Sequence, residues 1–279
     1  MGKVKIAIDF GFGETKVVHD GGKFKFPSWV GIDPQTSINE LERISGYVVG
    51  EDARYSKKLI SIATVDDLIQ FFPVIRDYVL RKIGVSREDS IIITGLPPKY
   101  KEKKNLLLTY ADRVYPQGFG ITVDVVEEYG LQDEEVLILD IGYKTVDYIL
   151  YVQGKKKLGD TYENAGVQLL LENVRKRLRP EFRDEEVSRI QKWVINRHIK
   201  YRGEFIDISN EVREAKLEYM EFLKNLLERE VGYLIEKVNY TVLAGGGAYY
   251  LRGLELSKNT IVPEEPEFSQ ARGYWRISL

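Results

Sequence analysis

The sequence predicts a two-lobed α/β fold built from two duplicated halves. The first observation is a motif that occurs twice, in which an apolar strand ends in Asp-x-Gly and turns into a second strand, at residues 5–16 and again at 136–147. The second observation is the order of the predicted elements, which repeats strand-rich and then helix-containing segments in each half. The 279 residues provide enough chain for two lobes with a core in each.

The composition excludes several classes of function. The chain has no Cys and only two His, so disulfides, thiolate metal sites and histidine-based catalysis are not expected. The net charge of −2 gives no basic bias, so we expect no direct binding of nucleic acid. An apolar run long enough for a membrane span and a signal-like N-terminal segment are both missing, and we therefore expect a cytoplasmic protein with no membrane span.

The first half begins with strands predicted at 3–9 and 15–19 and, after the turn signal Asp20-Gly21-Gly22, a third strand at 23–26. Residues 31–63 then mix polar residues with short strand-like pieces. This change of character is typical of an inserted small subdomain.

A helix is predicted to begin after Thr64, because Asp67 stands three residues later as in a capping box. Its apolar positions recur with a period near 3.6, Pro73 is expected to kink it, and Gly84 is placed to end it. A buried strand is predicted next, at 90–94.

Residues 99–110 are predicted to form a helix. Residues 121–126 are ambiguous, because their β-branched content is typical of a strand. The spacing of Phe119, Val123 and Val126 fits a helix equally well.

The second half repeats the pattern of the first. Its predicted strands lie at 136–140, 145–152, near 156–158 and at 240–244, and its predicted helices at 165–178, 184–198 and 210–237.

Asp9 and Asp140 each end the apolar strand of one copy of the motif. Ligands of α/β folds bind at the carboxyl ends of strands, and Mg²⁺ binds one or two carboxylates while keeping several waters. One Asp-x-Gly alone would be better explained by an ordinary turn. Because the spacing recurs, the pair favours a metal site between two turns that clamp a polyphosphate.

Small and charged residues beside these aspartates fit the same interpretation. Gly11, Gly13 and Gly142 would let the backbone approach phosphate oxygens closely, although hairpin turns alone also explain them. Lys16 would bring a positive charge to the phosphates, or would be a strand lysine that faces solvent. Thr15 would add a hydroxyl, or would simply favour the strand.

Three consecutive glycines, Gly245, Gly246 and Gly247, follow the last predicted strand. Close passage of a nucleotide and a tight strand-to-helix turn explain them equally well. The glycine patterns of P-loop and dinucleotide-binding proteins do not occur in the chain.

Together these motifs resemble those of the actin–Hsp70–hexokinase superfamily. Residues 9–16 are similar to its first phosphate motif, 140–147 to its second, and 244–248 with Gly253 to its adenosine motif. Five further stretches are similar to the prokaryotic actin-like ATPases of the ParM/StbA/Alp group, at 47–53, 94–97, 115–118, 164–167 and 266–273.

The resemblance implies a duplicated two-lobed actin-like ATPase fold with the nucleotide in the cleft between the lobes. Domain I would comprise residues 1–115, with 32–64 as its smaller subdomain, and the C-terminal residues 265–279 would return to it. Domain II would comprise residues 116–264.

The resemblance also implies ATP or ADP and Mg²⁺ as cofactors. Asp9 and Asp140 would hold the metal, and Gln117 and Asp140 would be catalytic, with Gln117 positioning the attacking water. Glu127 is a less favoured candidate for that role. The residues expected to contact the nucleotide are Gly11, Phe12, Gly13, Thr15, Lys16, Gly142, Tyr143, Lys144, Gly245, Gly246 and Gly247.

The function implied by the resemblance is an ATP-hydrolysing protein that assembles with itself into filaments. It would serve plasmid or DNA segregation, through a DNA-binding adaptor, or another cytoskeletal task. The alternatives are a small-molecule kinase and a non-polymerising nucleotide-binding adaptor of the same superfamily.

Overall fold

The computed structural model describes residues 2–33, 41–153, 155–185, 187–251 and 257–277. Part of the predicted small subdomain, residues 34–40, therefore lies outside the described residues, as does Gly253.

The elements of the first half follow one another as β1 (Val4–Phe10), β2 (Glu14–His19), β3 (Gly22–Pro27), β4 (Val30–Ile32), β5 (Val48–Val49), β6 (Lys58–Ile60), α1 (Val65–Ile83), β7 (Ser90–Leu96), α2 (Lys104–Leu107), β8 (Arg113–Pro116) and α3 (Phe119–Tyr129). Those of the second half are β9 (Glu135–Ile141), β10 (Thr145–Val152), β11 (Lys155–Glu163), α4 (Val167–Arg177), α5 (Val187–Asn196), β12 (His198–Tyr201), β13 (Glu204–Asp207), α6 (Ser209–Ile235), β14 (Tyr240–Ala244), β15 (Thr260–Ile261) and α7 (Ser269–Arg276).

Two five-stranded sheets of the same topology form the centre of the fold. Their strand orders are β3-β2-β1-β7-β8 and β11-β10-β9-β14-β15. In each sheet the motif strand, β1 or β9, pairs antiparallel with the next strand and parallel with β7 or β14. The predicted duplicated α/β fold is therefore confirmed, and it places the two Asp-x-Gly turns at equivalent edges of the two sheets.

Helix α1 begins and ends where its sequence signals predict. The hydroxyl of Thr64 accepts a hydrogen bond from the N–H of Asp67, whose carboxylate in turn accepts from the N–H of Thr64, as in a capping box. Gly84 ends the helix in the left-handed conformation, with φ of 75°. The helix continues through Pro73.

The ambiguous residues 121–126 are helical and belong to α3, because Ile121, Val125 and Val126 pack against the second sheet. The predicted helix at 99–110 is wrong in part: a 3₁₀ turn at 98–103 follows Pro97, Tyr100 departs from helical geometry, and only α2 is α-helical.

Three further elements differ from their predictions. The strand predicted near 156–158 is the longer β11. The helix predicted at 184–198 is the shorter α5, and the hairpin β12–β13 follows it. No helix is predicted at α7, which packs against β1, β2 and α3.

How the chain divides into domains stays a prediction. The helices of the described residues include none that combines the length and the apolar character needed to cross a membrane.

Candidate functional site

A cavity of about 810 Å³ opens where the two Asp-x-Gly turns meet. Residues of both sheets line it, together with α5, α6 and the glycine-rich turn after β14. The sequence-predicted residues that it brings together are Asp9, Gly11, Phe12, Gly13, Lys16, Gln117, Asp140, Gly142, Tyr143, Gly245, Gly246 and Gly247. Both copies of the repeated motif thus meet at the wall of one cavity.

The first hairpin, β1–β2, places Asp9 directly opposite Lys16. The Nζ of Lys16 lies 4.0 Å from Oδ2 of Asp9, and both side chains are nearly buried. Burial raises the pKa of Asp9, and the charge of Lys16 opposes that rise. The hairpin thus joins a carboxylate to a cation at the cavity wall.

The second hairpin, β9–β10, has the same register but a different pair of charges. Asp140 stands directly opposite Asp147, which is 3% exposed. Burial, reinforced by the charges of Asp147 and Asp9, raises the pKa of Asp140 to about 8. Burial also raises the pKa of Asp147 to about 6, although hydroxyl groups of Thr161 and Thr145 donate to its carboxylate.

The two turns have the same backbone hydrogen bond, from the N–H of Gly11 to the carbonyl of Glu14 at 3.3 Å and from that of Gly142 to Thr145 at 2.9 Å. The next two N–H groups of each turn have no acceptor among the described residues; they belong to Phe12, Gly13, Tyr143 and Lys144. These four donors remain available to a ligand or to water. Successive free amides in a turn are a common way to bind anions.

The two turns also touch each other. A Cβ added at Gly13 would lie 3.2 Å from the Cβ of Tyr143, closer than non-bonded carbons normally pack. The turn of the first hairpin therefore packs against the turn of the second.

Two sequence-predicted residues do not line the cavity. Thr15 is fully buried, and its hydroxyl shares a 2.9 Å hydrogen bond with the hydroxyl of Ser28. Lys144 turns toward the start of α1, where its Nζ donates to the carbonyl of Ala63 at 3.1 Å and lies over the ring of Phe12. The structure thus gives both side chains protein partners away from the cavity.

The three glycines after β14 have different surroundings. Gly245 has φ of 77°, and a side chain there would collide with the carboxylate of Asp140. A side chain at Gly247 would collide with Ile141. A Cβ at Gly246 would meet nothing within 4 Å. Close packing therefore accounts for the outer two glycines, and the middle one faces open space.

Gln117 lies between β8 and α3, where its N–H donates to the carbonyl of Leu96 at 2.8 Å. It is half-buried and lines the cavity. Glu127 is exposed on α3 and does not line the cavity.

Sequence reasoning missed part of the cavity wall. Asp147 follows Asp140 at the spacing at which Lys16 follows Asp9, so the repeat itself was a signal for it. Gln270 also lines the cavity, together with residues of α5, the residue that follows it and the first turns of α6: Val187, Gln191, Val194, Ile195, Arg197, Val212 and Lys216. Single residues in helices carry no local signal that points to a distant cavity.

The described residues include no group of three or more His, Cys, Asp or Glu side chains arranged to hold a metal ion. The carboxylates of Asp9 and Asp140 nevertheless fit Mg²⁺, which binds through one or two carboxylates and completes its shell with waters and phosphate oxygens. Both carboxylates are nearly buried at the cavity wall and have raised pKa values, so a nearby cation would stabilise their charged forms.

The fold of this chain is similar to that of two-lobed actin-like structures. Residues 138–256 match a family model described as "Archaeal actin homologue MreB-like, C-terminal", which is less than half of the chain. No curated protein sequence matches this chain significantly.

Solved structures match over nearly the whole length. A ParM filament subunit from Clostridium botulinum has a TM-score of 0.77 at 19% identity, covering 99% of this chain and 98% of that one. The archaeal actin homologue Ta0583 has a TM-score of 0.78 at 15% identity, with 98% of each chain covered. MreB 5 of Spiroplasma citri, solved with AMPPNP, has a TM-score of 0.70 at 15% identity, covering 98% and 95%.

The fold of this chain is therefore that of the prokaryotic actin homologues, and the resemblance predicted from the motifs is confirmed at the level of the fold.

Proposed function

We propose that the protein binds ATP together with Mg²⁺ in the cavity between the two hairpins and hydrolyses the nucleotide to ADP and phosphate. One observation carries the proposal: two turns of the same geometry touch each other, each beside a buried aspartate, and together present four free N–H donors. This arrangement suits an anion that is held from two sides and accompanied by a cation. Ta0583, which shares the fold, has also been solved in complex with ADP.

Each side chain at the cavity has a role in the proposal. Asp9 and Asp140 would hold Mg²⁺, which would neutralise the charge that develops on the phosphate oxygens. Lys16 would contact the phosphates, because its ammonium group already faces the cavity beside Asp9. Gln117 would orient the attacking water, since a neutral amide can position water without removing its proton.

The glycine-rich turn would contact the adenosine part of the nucleotide at Gly246, where the backbone is open to the cavity. The wall formed by α5 and α6 would surround the base, since Val187, Val194 and Val212 supply apolar surface there. Contacts of Thr15 and Lys144 with the phosphates stay part of the proposal.

We further propose that the protein assembles with itself into filaments in the cytoplasm, and that hydrolysis weakens the assembly. The support is the likeness in fold to the ParM filament subunit. Service in plasmid or DNA segregation, through a DNA-binding adaptor, is the finer form of this proposal. The domain limits of 1–115 with 265–279, and 116–264, belong to it as well.

Right-angle light scattering of the purified protein tests both parts when phosphate release is followed in parallel. We expect scattering to rise on addition of Mg²⁺ and ATP, and to decay as phosphate appears, but not to rise with ADP or with EDTA present. Steady phosphate release with flat scattering would contradict the filament proposal. Formation of ADP that depends on an added sugar or acid acceptor, without release of free phosphate, would favour a small-molecule kinase instead.

A further inference from the structure

The peptide on both sides of Gln117 is held by α7, the C-terminal helix. On one side, the N–H of Gly118 donates to Oε1 of Gln270 at 3.0 Å. On the other, the hydroxyl of Tyr274 donates to the carbonyl of Pro116 at 3.2 Å. Two residues one helical turn apart on α7 therefore fix the backbone before and after the candidate water-positioning residue.

Gln270 also caps α3. Its Oε1 accepts a second hydrogen bond, from the N–H of Ile121 at 3.2 Å, so a single amide oxygen satisfies two N–H groups of the first turn of that helix. Its amide nitrogen donates to the hydroxyl of Tyr274. Gln270 and Tyr274 are 3% and 0% exposed, so these polar atoms depend on one another rather than on solvent.

Close packing leaves this arrangement little freedom. A side chain at Gly95 would overlap the hydroxyl of Tyr274, and one at Gly273 would overlap the backbone of Gly120. The buried carboxylate of Asp124 on α3 is held by Arg272 and Arg276 of α7, at 2.7 and 3.1 Å. Close packing and buried ion pairs thus hold the two helices together beside the loop of Gln117.

The same C-terminal segment reaches the other side of the cavity. The carbonyl of Pro266 accepts a hydrogen bond from the N–H of Gly245 at 3.0 Å. Residues 266–273, which resemble the prokaryotic actin-like proteins, therefore support two loops of the site.

We propose that Gln270 and Tyr274 are positioning residues for Gln117, and that α7 sets the orientation of the Gln117 amide relative to the cavity. This inference rests on the proposed hydrolysis of ATP. Neither side chain needs to touch the nucleotide, because each acts through the backbone of residues 116–118.

The test compares steady-state phosphate release by wild type, Gln270→Met and Tyr274→Phe. Methionine keeps the length of the side chain but removes the acceptor, and phenylalanine keeps the ring but removes the hydroxyl. We expect kcat to fall about tenfold or more in each variant, with KM for Mg-ATP changed by less than about threefold, because misplacing a catalytic group affects the reaction more than binding.

Trp275→Phe is the matched control. It removes a hydrogen bond of similar length from the same helix, from Nε1 of Trp275 to Asp20, without touching the loop of Gln117. The variant Gln270→Glu retains an acceptor for the N–H groups of Gly118 and Ile121 but loses the donor to Tyr274, and we expect its kcat to lie between those of wild type and Gln270→Met.

A double-variant comparison separates positioning from general damage to the fold. In a Gln117→Ala background the effect of Gln270→Met on kcat should nearly vanish, because there is no longer an amide to position. If Gln270→Met lowers kcat by the same factor in both backgrounds, or if Trp275→Phe lowers kcat equally, the inference is overturned.

Failure of the inference is distinguishable from failure of the proposed function. If the wild type releases phosphate and Gln270→Met and Tyr274→Phe match it, only the positioning role is overturned. If the wild type binds ATP but releases no phosphate, the proposed hydrolysis fails, and the positioning role fails with it. Should Gln270→Met not fold, Tyr274→Phe still decides the matter.

Discussion

The two hairpins at the cavity have the same backbone geometry but differ in charge. In the first, Asp9 faces Lys16, and in the second, Asp140 faces Asp147 at the same register position. The duplicated strands therefore place a carboxylate at the same point of each sheet, while the opposite strand supplies a cation in one copy and an acid in the other.

The two hairpins therefore differ in whether the aspartate has an opposite charge beside it. Asp9 has its own counter-charge within 4.0 Å. Asp140 has a second buried carboxylate opposite it, and its pKa rises to about 8. A proton or a bound cation would therefore stabilise the second hairpin near neutral pH. We infer that the first hairpin mainly holds the ligand and that the second mainly supports the reaction.

The largest expected effect comes from Asp140→Asn. We predict that phosphate release falls about a hundredfold or more, because charge stabilisation at the reacting phosphate is lost. ATP binding, measured by calorimetry, should weaken by less than about tenfold, since Asp9, Lys16 and the turn amides remain.

The matched variant on the same hairpin is Asp147→Asn, which should lose much less activity than Asp140→Asn. Equal losses in the two variants would contradict a special role for Asp140.

The second prediction concerns pH and the ligand-free protein. The folded state disfavours the charged form of Asp140, so its contribution to stability is present below the ordinary pKa of 3.8 and is lost as the pH rises through about 8. Asp140→Asn should therefore raise the free energy of unfolding at pH 8 by about 2 kcal/mol or more relative to wild type. Urea unfolding at pH 5 and pH 8 measures this.

The difference between Asp140→Asn and wild type should shrink toward pH 4. The exposed Asp133, changed to Asn, serves as the control and should leave the pH dependence unchanged. If the stability difference between Asp140→Asn and wild type does not vary with pH, the second hairpin does not carry an uncompensated pair of carboxylates.

The third prediction tests the first hairpin. Lys16→Met removes the cation opposite Asp9, and we expect the Kd for Mg-ATP to rise about tenfold, since a phosphate contact near a buried carboxylate is lost. The change Lys157→Met, at an exposed lysine of β11, should leave the Kd unaltered. Unchanged affinity in Lys16→Met would show that the first hairpin does not hold the nucleotide.

The smallest effect tests the contact between the two turns. Gly13→Ala places a Cβ 3.2 Å from the Cβ of Tyr143, and we expect it to destabilise the protein by about 1 kcal/mol. Tyr143→Gly, which removes that Cβ, should remove the cost in the double variant, giving a coupling of at least about 0.5 kcal/mol in unfolding experiments. Strictly additive effects would mean that the turns do not press on one another.

The repeated hairpins were predictable because each signal is local. An apolar strand, Asp-x-Gly and a return strand lie within about a dozen residues. The capping box of Thr64 and Asp67, and the end of the helix at Gly84, were predictable for the same reason.

The parts that were missed depend on distant contacts. Thr15 lies within the motif, but its side chain points inward to Ser28, a partner that belongs to a later segment. Helix α7 carries no strong helical signal and is fixed by packing against α3, through Gly120 and Gly273. Gln270 enters the site only because of that packing, so its position could not be predicted from its neighbours in sequence.

The most direct measurement is a single-turnover experiment in which wild-type protein, in excess over ATP, is mixed with Mg²⁺ and phosphate release is followed. The two-hairpin account predicts first-order release that stops when EDTA is added and is lost in Asp140→Asn, while ATP remains bound to that variant. Binding of ATP by the wild type without any release of phosphate, or release that is the same in Asp140→Asn, would contradict it.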